Sequence, residues 1–204
     1  MLAAESVGAL SGCAGTRVVA LPDRLFHTLS STVTSQGIIA LVRLPVWEIE
    51  DVFRGPAGEQ SLVVVLDGLQ DPGNAGAIAR AAEAFGATGV MFLKGTASPF
   101  HPKTLRASAG SLFRVPFVSA ASFAGPPVQV FAAMPFTGAE RMAADADFGA
   151  PCAIVIGSEG RGVSAELLAI AEPVAIPTVA VESLNAAVAC SISLFEAQRQ
   201  RSRQ

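Results

Sequence analysis

The chain has 204 residues, 51% hydrophobic and 15% charged, which suits one domain with a large core and excludes a disordered chain. Its net charge of −3 does not mark a general nucleic-acid binder, yet between residues 80 and 114 Arg80, Lys94, Lys103, Arg106 and Arg114 face only one acid, Glu83. No apolar run approaches the ~20 residues that cross a bilayer, and no basic segment precedes an apolar core at the start, so a cytoplasmic protein is expected.

Residues 1–44 read as a short α/β piece. Thr16–Ala20 and Gly37–Arg43 look like strands, and Pro22–Leu29 like a helix with proline in its first turn. Residues 45–60 carry Pro45, Gly55, Pro56 and Gly58 among acids and read as a linker. From residue 61 the pattern becomes strand, helix, strand: Leu62–Leu66, Ala75–Phe85 with Gly86 as C-cap, then Gly89–Leu93. Such a unit predicts a parallel sheet with right-handed crossovers. Pro102–Ala109 reads as a short helix, and Val128–Ala132, Cys152–Ile156 and Val174–Ile176 as further strands. A last helix starts near Ser183 and runs towards Arg201, with Leu184, Val188, Ser191, Ile192 and Phe195 on one side.

Cys13, Cys152 and Cys190 are too few and scattered for a disulfide framework and read as inert thiols. His27 and His101 lack ligand-spaced partners, so no metal is expected. Without tyrosine and with Trp47 alone, base stacking is not a strong theme, although Phe100 and Phe113 lie in the basic stretch.

Ligands of parallel sheets collect at the carboxyl ends of strands, and three loops occupy such positions. The first is Asp67–Gly76, where Asn74 can cap the helix or hold a ligand, with Arg80 further along. The second, Gly157-Ser158-Glu159-Gly160-Arg161-Gly162, lets backbone N–H groups approach a ligand closely but lacks the lysine of a triphosphate loop. Glu159 there would repel a phosphate and favours an uncharged or cationic ligand part. The third, Ile176–Asn185, places a hydroxyl and an amide at a helix N-terminus. Each alone is an ordinary turn between strand and helix.

Together the loops resemble the three motifs of the SpoU/TrmH family of RNA ribose 2′-O-methyltransferases, within the SPOUT superfamily. Asp71-Pro72-Gly73-Asn74 with Arg80 and Glu83–Gly86 matches the first, Ile156–Gly162 the second, and Ile176-Pro177 with Glu182-Ser183-Leu184-Asn185 the third. Arg106–Phe113 is similar to a further family segment, and residues 27–43 look like the tail of a ribosomal-protein-like substrate domain. Thr178-Val179-Ala180-Val181 is shorter than the family's third motif and has no glycine; Ala187 stands where the family often places serine.

The resemblance implies three regions: a partial RNA-binding domain over 1–44, the linker over 45–60, and a catalytic domain over 61–204. It implies a parallel α/β SPOUT fold with a C-terminal trefoil knot, S-adenosyl-L-methionine as cofactor, and a homodimer sharing its active sites. Gly157, Ile176 and Leu184 match the cofactor contacts. Arg80 matches the catalytic arginine, with Asn74, Glu159, Ser183 and Asn185 as supporting polar residues. Lys103, Arg106 and Arg114 are then the expected RNA contacts, with ribosomal RNA favoured over transfer RNA. Because guanidinium stays protonated, Arg80 is expected to bind a phosphate and the 2′-oxygen rather than act as a base. The alternatives are an RNA-binding or ribosome-assembly protein that keeps the fold without the chemistry, a base methyltransferase, and last an ATPase.

Overall fold

Leu62-Val63-Val64-Val65-Leu66 is apolar at every position because it lies inside a parallel sheet covered on both faces. In the computed structural model, which describes residues 17–30, 35, 37–43, 45–55, 60–138 and 141–203, this run forms strand β1 (Leu62–Asp67). It is joined by β2 (Gly89–Leu93), β3 (Phe117–Ala120), β4 (Gln129–Met134), β5 (Arg141–Met142), β6 (Cys152–Gly157) and β7 (Glu172–Ala175). The order across the seven-stranded sheet is β3-β2-β1-β6-β4-β7-β5, with every neighbouring pair parallel. All carboxyl ends therefore lie along one edge. The direction of winding changes beside β1, whose last residue Asp67 pairs with Gly157 of β6.

The chain divides into two compact units, Met1–Leu44 and Pro45–Gln204. In the first, helix α1 (Asp23–Leu29) buries no residue. Residues 17–20 and 37–43 form no strand; Thr16 lies outside the described residues.

In the second unit, alternate residues of each strand face opposite layers. Leu62, Val64, Leu66, Phe131 and Ile154 share one core with helices α3 (Pro72–Ala84) and α6 (Ala186–Arg201). Val63, Val65, Val130, Ala132 and Val155 share the other with α2 (Ile49–Arg54) and α5 (Ala165–Leu168). Helix α4 (Pro102–Ala107) packs across α3, where a Cβ on Gly76 would come within 2.3 Å of Thr104 O.

The stretch expected to be a linker instead contributes α2 to the core. Glu48 and Asp51 form a reciprocal capping box, and Val52 and Phe53 are buried. Thr88 Oγ1 donates to Val52 O at 2.8 Å and accepts from Leu62 N at 3.1 Å, tying α2 to β1. A Cβ on Gly89 would meet Val52 at 2.7 Å, so glycine is what lets α2 lie on β2.

Helix α6 also differs from expectation. Its cap is Asn185, not Ser183, and its buried residues are Ala186, Cys190, Ser193, Leu194 and Ala197. The side carrying Val188, Ile192 and Phe195 is exposed. Small residues win the inner face because α6 packs closely on α3 and β6, where longer side chains would not fit. Its last turn reaches the far edge of the sheet. Arg201 Nε donates to Phe148 O at 2.9 Å, and its terminal nitrogens donate to Gln60 O, Ser61 O and Ala150 O at 2.6, 2.9 and 2.9 Å. Gln200 donates to Ala146 O and accepts from Phe148 N, both at 2.9 Å. Among the described residues, no helix is long and apolar enough to cross a membrane.

Candidate active site

Asp71-Pro72 starts α3: the Asp71 carboxylate accepts from Gly73 N at 3.1 Å, and Pro72 occupies the first turn. Capping by Asp71 leaves the Asn74 amide available for other contacts. Its Nδ2 donates to Glu159 Oε1 at 2.5 Å, while its Oδ1 accepts from Asn185 Nδ2 at 3.1 Å. Asn185 Oδ1 in turn caps α6, accepting from Ala187 N and Val188 N at 2.9 and 3.3 Å. One line of polar contacts thus joins the loops after β1, β6 and β7.

Beside it lies a cavity of about 370 Å³ at the carboxyl ends of β4, β6 and β7. Gly157, Ile176 and Leu184, the expected cofactor contacts, line it together with Glu159 and Ser183. The loop after β6 is closed by a paired bridge: Ser158 N donates to Gly162 O at 3.1 Å and Gly162 N to Ser158 O at 2.8 Å. A Cβ on Gly157 would lie 2.2 Å from Gly162 C, so only glycine permits this turn. Ser164 N donates to Asp67 Oδ2 at 2.6 Å and anchors the far side of the loop to β1.

The lining suits S-adenosylmethionine. Apolar Ala133, Ile156, Val174 and Leu184 offer a wall for an adenine ring, glycine backbone can approach polar edges, and the Glu159 carboxylate complements positive charge. Among the described residues, no group of three or more His, Cys, Asp or Glu is placed to hold an ion. Burial pushes the Cys152 thiol up to about 11 and raises that of Cys190, leaving both as unreactive thiols; Cys13 lies outside the described residues.

Arg80 does not line the cavity. It is exposed on α3 and makes no hydrogen bond or ion pair among the described residues. It stands six residues beyond Asn74, about 9 Å along the helix axis and on another side. Of the expected RNA contacts, two are engaged within the chain. Lys103 Nζ lies 2.6 Å from Asp71 Oδ1 and holds that carboxyl below its ordinary range. Arg114 grips Glu83 through Nε and Nη2. Arg106 is exposed and unpaired among the described residues. Towards the C-terminus Arg199 pairs with Glu196, Arg201 binds main-chain carbonyls, and Arg203 is exposed.

Sequence reasoning missed the loop after β4, where Met134, Pro135 and Phe136 complete the cavity wall, and missed Ala189 and Ser193. A signal was present: Pro135 directly follows an apolar strand, which marks a strand's carboxyl end.

Residues 61–195 match the SpoU rRNA Methylase family. The chain belongs to that family. Among SpoU relatives, it is 36% identical over 184 residues to an uncharacterized tRNA/rRNA methyltransferase of Synechocystis sp., covering 85% of this chain and 64% of the relative. It is 32% identical over 199 residues to the 23S rRNA (uridine(2479)-2′-O)-methyltransferase of Streptomyces viridochromogenes, covering 91% and 68%. The chain thus spans about two thirds of these relatives' length. Its seven-stranded parallel sheet matches solved SpoU structures. The crystal structure of AviRb from S. viridochromogenes in complex with AdoMet aligns at a TM-score of 0.70 and 32% identity, covering 78% of this chain and 67% of AviRb. An AdoMet-bound rRNA methyltransferase from Sinorhizobium meliloti aligns at 0.64 and 32%, covering 77% and 61%.

Proposed function

We propose that the protein methylates a ribose 2′-hydroxyl in structured RNA, with S-adenosylmethionine as donor and ribosomal RNA as the substrate class. The observation that carries this reading is the Asn185–Asn74–Glu159 line, which joins three separate loops beside one cavity. The 2′-O specificity named for the Streptomyces relative and the AdoMet bound in the AviRb structure support it.

When bound, the cofactor supplies a methyl group on a positively charged sulfur, already electrophilic without help from an acid. The chain's task is then to orient a ribose and to assist loss of one proton. Asn74 and Asn185 fix Glu159 at the mouth of the cavity, and Ser183 offers a hydroxyl there. Arg80 binds the phosphate next to the target ribose with its planar fork and holds the 2′-oxygen, while phosphate or water accepts the proton. Lys103, Arg106 and Arg114 flank this path.

The exposed Val188, Ile192 and Phe195, together with Phe85, form an apolar strip suited to a second copy of the chain. We assign the homodimer to this strip. The separation of Arg80 from the Asn74 cluster within one chain fits a site completed by the partner's arginine. A C-terminal trefoil knot is assigned on the resemblance to the SpoU/TrmH motifs. Residues 1–44 are assigned to RNA selection as a partial ribosomal-protein-like domain, residues 61–204 to catalysis, and the protein to the cytoplasm.

Calorimetric titration with S-adenosylmethionine, followed by mass analysis of nucleosides from treated ribosomal RNA, tests the proposal. One saturable site per chain and a 2′-O-methylated nucleoside are expected. Methylation that survives a 2′-deoxy substitution at the target would point to a base as acceptor instead.

A further inference from the structure

Gly73, Gly76, Arg80 and Glu83 form one row along α3, at helical spacings of three and four residues. The chain after β2 covers this row on either side of Arg80. A Cβ on Gly73 would lie 3.1 Å from Lys103 Cε, and one on Gly76 would lie 2.6 Å from Ala107 Cβ. At the other end, Glu83 receives Nε of Arg114 on one oxygen and Nη2 on the other, the latter at 2.8 Å. Arg80 alone stays exposed and unpaired among the described residues.

That arrangement is unusual on physical grounds. An arginine and a glutamate three residues apart on a helix face attract each other. Here the half-buried carboxylate is already occupied by another guanidinium. Bonds from Arg114, and secondarily from Ser111, hold its pKa down to about 2. Gly110, at φ +87°, turns the chain so that Arg114 sits over it; a Cβ there would come within 3.2 Å of Nη1. The Arg114 side chain is exposed, yet its fork lies close to Gly110 while gripping both Glu83 oxygens.

We propose that Arg114 is a positioning residue that occupies Glu83 and so keeps the Arg80 guanidinium open to a substrate phosphate. This rests on the reading of Arg80 as the RNA-phosphate contact, and it moves Arg114 from the RNA surface to a role exercised through another side chain.

The test is a cycle in the full chain: Arg114→Ala, Glu83→Gln and the double variant. Each is read by methyl transfer to ribosomal RNA, by thermal unfolding, and by the NMR signal of the Arg80 Nε–Hε group without RNA. Arg114→Ala should lower turnover about fivefold, as Glu83 captures Arg80, and the Arg80 signal should shift and exchange more slowly. Glu83→Gln alone should remain within about twofold of the native protein, and the double variant should return to that level whatever its melting temperature. A double variant as slow as Arg114→Ala would overturn the proposal and return Arg114 to the RNA surface. An Arg80 signal unmoved by Arg114→Ala would overturn it as well. Capture seen by NMR in a protein that leaves RNA unmethylated would sustain the guarding contact and reject the reaction assigned to it.

Discussion

Asn185 uses its two ends for different purposes, and substitutions can separate them. The oxygen caps α6; the nitrogen reaches Asn74. Asn185→Asp keeps the cap and loses the donor, whereas Asn185→Ala loses both and should cost about 1 kcal/mol of stability. Both variants should lose methyl transfer, but only the alanine should shift the denaturation midpoint. Gly157→Ala would place a methyl 2.2 Å from backbone that cannot move aside cheaply, so calorimetry should show at least about tenfold weaker S-adenosylmethionine binding. Arg80→Ala should lower turnover by about a hundredfold and leave cofactor affinity within about twofold, because the side chain does not line the cavity. Glu83, depressed from 4.5 to about 2, stabilises the folded chain fully above its unfolded pKa. That contribution should fade as pH falls from about 4.5 towards 2, and acid titration of Glu83→Gln should lack it. At this scale the sequence was legible for identity and poor for engagement. Asp-Pro ahead of the helix was a sufficient sign that Asp71, not Asn74, would be the cap, but nothing in the chain's order says that Lys103 would find Asp71 or Arg114 would find Glu83.

Among the elements, the buried strands were the most legible, since a strand covered on both faces must be apolar throughout. Edge strands were less so. Phe117–Ala120 buries only Phe117, and Arg141–Met142 is too short to leave a periodic trace. The runs at 17–20 and 37–43 have strand-like composition, yet composition makes a strand only where a partner edge completes its hydrogen bonds. Helix α2 was hidden under breakers on both sides, although Glu48 and Asp51 spelled its capping box. Helix α6 carried a misleading stripe: the larger apolar side chains face outward, and the core takes the small ones. On the strip proposed above as the dimer face, Phe195→Glu should leave only monomer in sedimentation experiments and far-UV circular dichroism unchanged. Arg201→Ala, which removes four bonds to main-chain carbonyls, should cost about 2–4 kcal/mol in chemical denaturation.

Taken whole, the second unit places every strand's carboxyl end on one edge, so loops far apart in sequence become neighbours by topology alone. That is why the three motif loops converge on one site, while the fourth wall after β4, with no glycine-rich or polar pattern, was marked in the sequence by Pro135 alone. The cysteine-bearing face of α6 has a further consequence for how the molecule is made. A growing chain emerges amino end first, and all seven strands precede α6. Until residues 186–201 leave the ribosome, the groove over Ile78, Ile154 and Phe131 stays open, and Phe148, Ala150 and Ser61 keep carbonyls without the guanidinium that later gathers them. Assembly of the pocket thus waits for α6, and a nascent chain halted before it would hold a finished sheet whose cavity still lacks Ala186, Ala189 and Ser193.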